Sequence, residues 1–347
     1  MEADYKKKLP RIFFFLAAIL LMVKVLRDKD ESIVMNHITG QTMGTIPYSI
    51  KYKTPELIDY QTGVDSLLKA FNQSLSTYIP DSEISRFNRN DTLVFESNLF
   101  LPVLQASRKV NGATGGAFDP TIGPLVNAWG FGPGKRVEVL PPFQVDSLRA
   151  LVDFNKIQFT DLYVIKPPGM YLDFSAIAKG YAIDVVAQWL AKKGVKEYMI
   201  EIGGEVIVKG TNDKDQSWAI GIEDPIVARD EQKLLAISRV PDRAMATSGN
   251  YRNYFEKDGK IYAHIIDPRT GYTSNETILS ATVFAPTCMI ADAYATSFMV
   301  LGVEQSMDIV KNDSDLEAFL IYQSGDSIAV KMSEGLTDFI TLMEGYQ

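Results

Sequence analysis

The sequence is poor in the residues that most often build disulfides and transition-metal sites. Cys288 is the single cysteine among 347 residues, and His37 and His264 are the only histidines. One cysteine cannot form a disulfide within the chain, and this set is too small for a typical Cys/His zinc site. Any metal that the chain holds must therefore be bound mainly by oxygen, which favours Mg²⁺ or a similar hard cation.

Positive charge is also scarce. The chain has 35 Lys and Arg against 43 Asp and Glu, which gives a formal net charge of −8. A protein that follows a nucleic-acid backbone needs a basic surface, so nucleic acid is not an expected partner. Hydrophobic residues make up 46% of the sequence. This content is ample for a substantial core in one large domain or in two closely packed halves.

The N-terminus is typical of a targeting segment. Three lysines and an arginine at positions 6–11 precede an apolar run over 12–23. That run is shorter than the roughly 20 residues of a spanning helix and fits a signal h-region. No small-residue cleavage site and no lipid-accepting cysteine follow, so an uncleaved signal anchor is favoured slightly over a cleaved signal peptide. A buried N-terminal helix is the weaker alternative.

This reading divides the chain into three parts. Residues 1–27 are predicted to be the signal peptide or signal anchor, and 28–35 a polar linker. Residues 36–347 are predicted to form one further domain, which carries the motifs described below. Because the basic end stays inside, this body is expected on the extracytoplasmic (periplasmic) face, tethered to the inner membrane.

Hairpins with irregularly spaced helices predict an α+β fold. Alternation predicts a strand from Ile46 to Tyr52, and helical spacing predicts a helix from Glu56 to Ser74. Gly203 and Gly204 separate two strand-like runs, which is a strong hairpin signature. We therefore expect a mixed sheet with hairpins and packed helices in a single body, rather than a doubly wound parallel sheet. The Gly- and Pro-rich segment 114–134 is predicted to be a binding loop.

A first candidate site lies in residues 172–180, with the sequence LDFSAIAKG. A helix is predicted to begin here and to run to Lys193, with Asp173 or Ser175 as its cap. A helix N-terminus with Lys179 one turn into it is suited to phosphate binding. An ordinary capped helix with a solvated lysine is the simpler alternative, and the glycine spacing of a Walker A loop is absent.

A second candidate site lies in residues 288–296, with the sequence CMIADAYAT. Asp292 and Thr296 are four residues apart in a predicted helix of small residues that ends at Gly302, so their side chains share one face. A carboxylate and a hydroxyl suit a Mg²⁺ site completed by backbone carbonyls and substrate phosphates. A hydrogen bond between the two side chains is an equally good interpretation.

Two further segments could belong to a site. A Thr-Ser-Gly turn at 247–249 is followed by His264 and by Asp267 and Arg269. A lone histidine is more often structural. Only the nearby Thr-Ser-Gly turn, Asp267 and Arg269 favour a catalytic role for His264. Residues 115–132 place aromatics among glycines, which either hold a flat ring or pack on the core.

Taken in order, these motifs resemble the FAD:protein FMN transferases, the ApbE group. Each motif is modestly specific, whereas the ordered set is highly specific and runs from Met43 to about Leu301. The segments that carry the resemblance are MGT at 43–45, STY at 76–78, FDPT at 118–121, WGF at 129–131, DFSAIAKG at 173–180, EIGG at 201–204, SG at 248–249, HIIDPRTG at 264–271 and ADAYAT at 291–296.

The resemblance implies that residues 36–347 form an FAD-binding flavin transferase domain with an α+β fold, an FAD site and a metal site. The metal would be Mg²⁺, held by the carbonyl of Ala176 and the side chains of Asp292 and Thr296. In the FAD site, the flavin and adenine pockets would be lined by Met43, Tyr78, Phe118 and Asp119. Asp173 would hydrogen-bond the cofactor, and Lys179 would reach the pyrophosphate. The implied FAD-binding residues are Met43, Tyr78, Phe118, Asp119, Asp173, Lys179, Glu201, Ser248 and Ile265.

The implied activity is Mg²⁺-dependent transfer of the FMN half of FAD to a Ser or Thr hydroxyl, with release of AMP. The acceptor would be an exported or membrane redox subunit. His264 is the expected general base, with Asp292 as the alternative. An FAD pyrophosphatase and a non-catalytic exported flavin-binding protein remain open. Two departures from many relatives are Asn250 after Ser-Gly and the missing lipid-accepting cysteine, and both leave the implied metal ligands intact.

Overall fold

The computed structural model describes residues 33–132, 140–227, 233–249, 254–257, 260–263, 265–274 and 277–346. The predicted signal segment 1–27 and His264 lie outside these ranges. Most of the predicted linker lies outside them too, and β1 begins at Val34, within the last two residues of that linker. No helix in the described ranges combines the length and the apolar character needed to cross a bilayer.

Helices and strands alternate irregularly along the described chain. The α-helices are α1 (Gln61–Leu75), α2 (Glu83–Arg89), α3 (Phe100–Ala113), α4 (Gly123–Ala128), α5 (Pro142–Arg149), α6 (Ala178–Lys192) and α7 (Cys288–Asn312). The strands are β1 (Val34–Thr42), β2 (Ile46–Thr54), β3 (Thr92–Val94), β4 (Gln158–Phe159), β5 (Tyr163–Ile165), β6 (Tyr198–Ile202), β7 (Glu205–Lys209), β8 (Ile220–Glu223), β9 (Leu234–Ser238), β10 (Ala244–Gly249), β11 (Tyr254–Lys257), β12 (Lys260–Ala263), β13 (Ile278–Ala285), β14 (Glu317–Ser324), β15 (Ser327–Met332) and β16 (Ile340–Leu342).

The centre of the fold is an eight-stranded sheet in the order β1-β2-β6-β7-β10-β13-β14-β15. Neighbouring strands in this sheet pair antiparallel, and the α+β class is confirmed. Smaller three-stranded sheets have the orders β16-β9-β8 and β3-β5-β4. Helices α6 and α7 pack on the large sheet and on each other.

Both faces of the large sheet are buried. On β14, Leu320 belongs to the main core, which also includes residues of α1, α3, α6 and α7. Phe319 and Ile321 belong instead to a second core, together with Leu235 of β9. Because successive side chains of a strand point to opposite faces, this alternation places the helices on one face of the sheet and the small β16-β9-β8 sheet on the other.

The predicted two-glycine hairpin is confirmed. Gly203 and Gly204 have φ values of +63° and +102°, and they connect β6 to β7 with Ile202 opposite Glu205. Positive φ at both turn positions is the geometry that favours glycine and that matches the twist of the two strands. The turn therefore fixes Glu205 as the first residue of β7.

The predicted start of the first helix is wrong. Helix α1 begins at Gln61 rather than Glu56. The backbone N–H of Ile58 donates to Asn36 Oδ1 at 2.9 Å, and its carbonyl accepts from the Tyr52 hydroxyl at 2.6 Å. These bonds to β1 and β2 hold the preceding residues in an extended connection, so tertiary contacts override the helical spacing.

Two other predicted boundaries change. The segment 114–134, predicted as a loop, contains the short helix α4. Gly302 does interrupt the helix, with φ +77° and ψ 176°, but helical structure resumes beyond it to Asn312. Gly302 therefore correctly predicts a break in the helix, but it does not predict where the helix ends.

We expect Gly203→Ala to lower the thermal unfolding midpoint more than Gly115→Ala does. Both glycines have left-handed backbone, with φ +63° and +57°, so an added Cβ costs roughly 1–2 kcal/mol of strain at each. At Gly203 the new Cβ also falls 2.7 Å from Ile46 Cγ2, whereas it meets no described atom within 4 Å at Gly115. Differential scanning calorimetry of both variants measures the difference, and equal midpoints would contradict the importance of the Ile46 contact.

Candidate active site

A cavity of about 360 Å³ lies among the turn before α6, the β6–β7 turn, the end of β10 and the first turns of α7. Its walls combine apolar side chains with a set of charged and hydroxyl groups. Seven of the residues predicted from the sequence line it, and they are Asp173, Ala176, Lys179, Ser248, Ile265, Asp292 and Thr296. The structure therefore brings together segments that are more than one hundred residues apart.

Lys179 carries a positive charge into this cavity. Its Nζ lies 2.6 Å from Glu205 Oε1 and 3.5 Å from Asp292 Oδ1. Burial lowers the pKa of Lys179, but the charges of Asp292 and Glu205 outweigh that effect and raise it above its ordinary value. Lys179 is therefore protonated at neutral pH, and the simpler alternative of a solvated lysine does not describe it.

Glu205 is a site residue that the sequence reasoning missed. It is 3% exposed, and its Oε2 is buried without a hydrogen-bond partner among the described residues. Burial raises its pKa to about 7 in spite of the attraction of Lys179. The one available signal was a charged residue directly after a two-glycine turn, next to a candidate phosphate site.

Asp292 and Thr296 both face the cavity, as the helical spacing predicted. Asp292 is 2% exposed, and its Oδ2 accepts from the backbone N–H of Gly180 at 3.0 Å. Thr296 Oγ1 lies 3.2 Å from Ser248 Oγ. The hydrogen bonds of these two side chains thus go to other segments rather than to each other, which leaves Asp292 Oδ1 directed towards Lys179.

The oxygen atoms in this part of the cavity fit a hard cation. Asp292, Thr296 and Ala176 line the same cavity, and the first two offer a carboxylate and a hydroxyl. No cluster of three His, Cys, Asp or Glu residues that could hold a metal occurs in the described part of the chain. A metal here would therefore need oxygen from the substrate as well, as Mg²⁺ in phosphate sites commonly does.

The turn before α6 is tied by Asp173, although not as predicted. Asp173 Oδ1 accepts from the backbone N–H of Ser175 at 2.7 Å and from its hydroxyl at 2.5 Å. Helix α6 begins only at Ala178, and its N-cap, Ile177, makes no side-chain capping bond. Capping of this helix by Asp173 or Ser175 is therefore wrong, because both residues belong to a turn that precedes it.

Tyr78 stands near this turn and is 65% exposed. Partial burial and the charge of Asp173 raise the pKa of its phenol, so the ring is close enough to Asp173 to feel its charge. An exposed aromatic ring is suited to stacking against a flat heterocycle.

Five of the nine predicted FAD-binding residues do not line this cavity, namely Tyr78 and the four described next. Met43 lies in the β1–β2 turn with φ +47° and packs against the main core. Phe118 is 3% exposed in that same core. Glu201 Oε1 accepts from the backbone N–H of Gly204 within the hairpin turn at 2.8 Å.

Asp119, the fourth, has a carboxylate fully occupied by its surroundings. One oxygen accepts from the N–H and hydroxyl of Thr121, and the other accepts from the N–H of Phe154 and from Asn111 Nδ2. It borders a separate pocket of about 370 Å³ that Arg269 also lines. These bonds indicate that Asp119 holds the loop together. His264, the predicted base, lies outside the described residues.

A second residue that the sequence reasoning missed is Asp184 of α6. Its carboxylate is buried and accepts from the backbone N–H groups of Cys288 and Met289, both at 2.8 Å. Burial raises its pKa to about 7, with a smaller contribution from the charge of Asp292. In the sequence, Asp184 is only a polar residue among the apolar residues of a helix, and nothing there indicates a role in the site.

Comparison with known proteins covers the whole body of the chain. The ApbE family profile matches residues 43–320, a span that contains every residue named above as lining the cavity. An FAD:protein FMN transferase of Vibrio cholerae serotype O1 is 39% identical over 334 residues, covering 94% of this chain and 98% of that protein. The protein of the same name from Haemophilus influenzae is 38% identical over 331 residues, covering 91% and 94%.

Solved structures are similar over the same extent. The flavin transferase ApbE from Vibrio cholerae superimposes with a TM-score of 0.80 at 38% identity, covering 88% of this chain and 99% of that one. The apo flavinyl transferase ApbE of Pseudomonas stutzeri gives a TM-score of 0.77 at 30% identity, covering 88% and 97%. The similarity therefore extends to the arrangement of the strands and helices that form the cavity.

We expect the stability difference between the wild type and Glu205→Gln to change with pH. The pKa of Glu205 is raised on folding from 4.5 to about 7, so the folded state prefers the protonated carboxyl. The wild type consequently loses free energy of unfolding as the pH rises from about 4.5 to about 7, whereas glutamine does not titrate. As the pH rises across this window, the unfolding midpoint of the wild type, measured without metal, should fall relative to that of Glu205→Gln.

Glu201→Gln is the matched control, since Glu201 lies in the same hairpin but is half-exposed. Asp184 is present in all three proteins, so its own titration cancels in the comparison. A wild-type minus Glu205→Gln difference that stays constant with pH would mean that Glu205 keeps one protonation state, contrary to this expectation.

Proposed function

Since this chain belongs to the ApbE family and is a flavin transferase, we propose that it moves the FMN half of FAD onto a Ser or Thr hydroxyl of a partner protein. AMP is the other product, and Mg²⁺ is required. The observation that carries the proposal is the protonated Lys179 in a cavity beside Asp292 and Thr296. The positive charge can stabilise the negative charge of a reacting pyrophosphate, and the neighbouring oxygen atoms can hold a cation that does the same.

The chain's own groups favour a pyrophosphate at this position. Lys179 offers a charge-assisted hydrogen bond, and it lies in the first turn of α6, where the helix dipole also attracts anions. Bound Mg²⁺, held by the Ala176 carbonyl and the side chains of Asp292 and Thr296, would neutralise charge that develops on the departing AMP. The exposed ring of Tyr78, beside Asp173, is suited to hold the isoalloxazine ring.

The transfer is a displacement at phosphorus. The acceptor hydroxyl oxygen forms a bond to the phosphorus on the FMN side. The bond from that phosphorus to the bridging oxygen breaks, and AMP leaves with the bridging oxygen and its electron pair. The hydroxyl proton passes to a base, for which we propose His264. Both oxygens of Asp292 already face N–H donors, Gly180 and Lys179, which makes Asp292 the less suitable base.

We also propose that the protein works on the extracytoplasmic face, tethered by the predicted segment 1–27, with an exported or membrane redox subunit as the acceptor. The support for this is the cluster of basic residues followed by a short apolar run at the N-terminus. Protease accessibility of the body in intact spheroplasts tests the location, and a body protected from protease would contradict it.

We expect Asp292→Asn to reduce labelling of an acceptor by at least roughly 100-fold, because the charge that faces Lys179 and the proposed metal is lost. The purified protein is incubated with FAD and Mg²⁺, with and without a Thr-containing acceptor domain. Flavin fluorescence of the denatured acceptor band and AMP by chromatography are measured together. Asp308→Asn is the control, because this exposed aspartate lies on the same helix and its loss should leave labelling unchanged.

The two readouts separate the alternatives. Acceptor labelling in step with AMP release supports the transferase. AMP release that is independent of the acceptor, without a labelled band, would replace this proposal with FAD hydrolysis. Tight FAD binding with neither signal would leave only a flavin-binding protein.

We expect His264→Gln to slow transfer by roughly 10²–10⁴-fold and to remove the rise in rate between about pH 5.5 and 7.5. A histidine base gains activity as it loses its proton on the way up through this range. His37→Gln is the matched control, since these are the only two histidines in the chain. A pH profile that survives in His264→Gln would show that another group accepts the proton.

A further inference from the structure

Helices α6 and α7 cap each other. The first N–H groups of a helix lack partners within that helix, and neither N-cap residue, Ile177 nor Thr287, makes a side-chain capping bond. Asp292 of α7 instead accepts from Gly180 N in the first turn of α6. Asp184 of α6 in turn accepts from the first two N–H groups of α7. The capping groups are thus exchanged between the two helices.

The exchange is buried, and it holds the helices in backbone contact. Asp184 is 5% exposed and Cys288 is fully buried. A Cβ added at Gly180 would fall 2.2 Å from the carbonyl oxygen of Cys288 and 2.8 Å from the N of Met289. A shift of one helix along the other would break the capping bonds, and it would clash if it placed a residue with a Cβ where Gly180 now lies, so the contact allows little change in register.

The register of these helices determines the separation of the groups in the cavity. Ala176 and Lys179 belong to the turn before α6 and to its first turn, whereas Asp292 and Thr296 belong to the second and third turns of α7. The two sets face each other only if the helix starts are fixed. Asp184 does not itself line the cavity, and its hydrogen bonds are made to the backbone of α7 four and three residues before Asp292.

We propose that Asp184 is a positioning residue for the cation site, holding the start of α7 so that Asp292 and Thr296 face the Ala176 carbonyl. The inference rests on the Mg²⁺ site of the proposed function. Groups behind the direct ligands commonly control metal affinity by orienting those ligands. Loss of the Asp184 carboxylate should thus weaken cation binding more than it weakens the fold.

The test is binding of Mn²⁺, a paramagnetic substitute for Mg²⁺, to the full chain with bound FAD. Free Mn²⁺ is measured by electron paramagnetic resonance, with protein in excess so that little unbound FAD is present to bind the ion. Asp184→Asn should raise the Mn²⁺ dissociation constant by about tenfold or more. Saturating Mn²⁺ should then restore much of the acceptor labelling, which loss of folded protein would not allow.

Glu83→Gln is the matched control. Glu83 is also buried, at 4% exposure, and its carboxylate likewise accepts from two backbone N–H groups, those of Glu96 and Ser97, at 2.8 and 3.2 Å. Neither Glu83 nor these partners line the cavity. Its variant should lose stability while keeping Mn²⁺ affinity. Equal Mn²⁺ affinity in wild type and Asp184→Asn, or an equal loss in both variants, would overturn the proposal.

A measurement on the unaltered chain tests the same coupling without relying on a variant. If the capping exchange supports the cation site, binding of FAD with Mg²⁺ must in return stabilise the capping hydrogen bonds. Hydrogen exchange at the amides of Cys288 and Met289 should then slow, while the amides of Glu96 and Ser97 keep their rates. Unchanged exchange at Cys288 and Met289 would overturn the inference. A wild type that binds no Mn²⁺ at all would overturn the proposed metal site itself, a result distinct from either of these.

Discussion

Lys179 keeps its positive charge inside the protein only because two carboxylates lie against it. An ammonium group moved out of water loses its hydration, and the attraction of Asp292 and Glu205 replaces that loss. With both carboxylates ionised, the three groups together carry one net negative charge. A pyrophosphate adds further negative charge to this place, so its binding needs a compensating cation or a proton on Glu205. The unpaired Oε2 of Glu205 and its raised pKa are consistent with the second route.

The fold supplies each of these three groups from a regular element rather than from a mobile loop. Glu205 opens β7 in the central sheet, Lys179 lies in the first turn of α6, and Asp292 lies in the second turn of α7. Rigid elements hold reacting groups more closely to one geometry than loops do. Tyr78, in contrast, is exposed at the edge of the site. The end of the cavity that is proposed to bind the phosphates is therefore held by regular elements, while the proposed flavin end remains open to a protein acceptor.

Local patterns predicted the parts of the structure that depend on local chemistry. The two-glycine hairpin, the strand from Ile46 and the shared face of Asp292 and Thr296 each follow from turn geometry or from residue spacing. The start of α1 did not follow, because the bonds from Ile58 to β1 and β2 decide it. Glycine at 180 also has a cause that lies far away in the sequence, namely its contact with Cys288.

The same distinction explains the site residues that sequence reasoning missed. Lys179, Asp292 and Thr296 were found from a predicted helix start and from residue spacing, and Ala176 from the resemblance of its motif to a family. The bonds of Asp184 reach Cys288, which is 104 residues away, and a single sequence gives no sign of such a pairing. Asp119 was implied to bind FAD, and the motif does not reveal that its carboxylate accepts hydrogen bonds from Asn111, Thr121 and Phe154.

The hydrogen bond between Asp292 and Gly180 joins positions that are 112 residues apart, and this separation affects how the protein folds during its synthesis. Contacts so distant along the chain form late, because closing a long loop costs entropy before the contact stabilises anything. A nascent chain that ends before α7 has neither the proposed cation ligands of that helix nor a carboxylate to cap α6. Synthesis must therefore pass α7 before the proposed site can form, so a chain that still lacks this helix cannot carry out the proposed transfer.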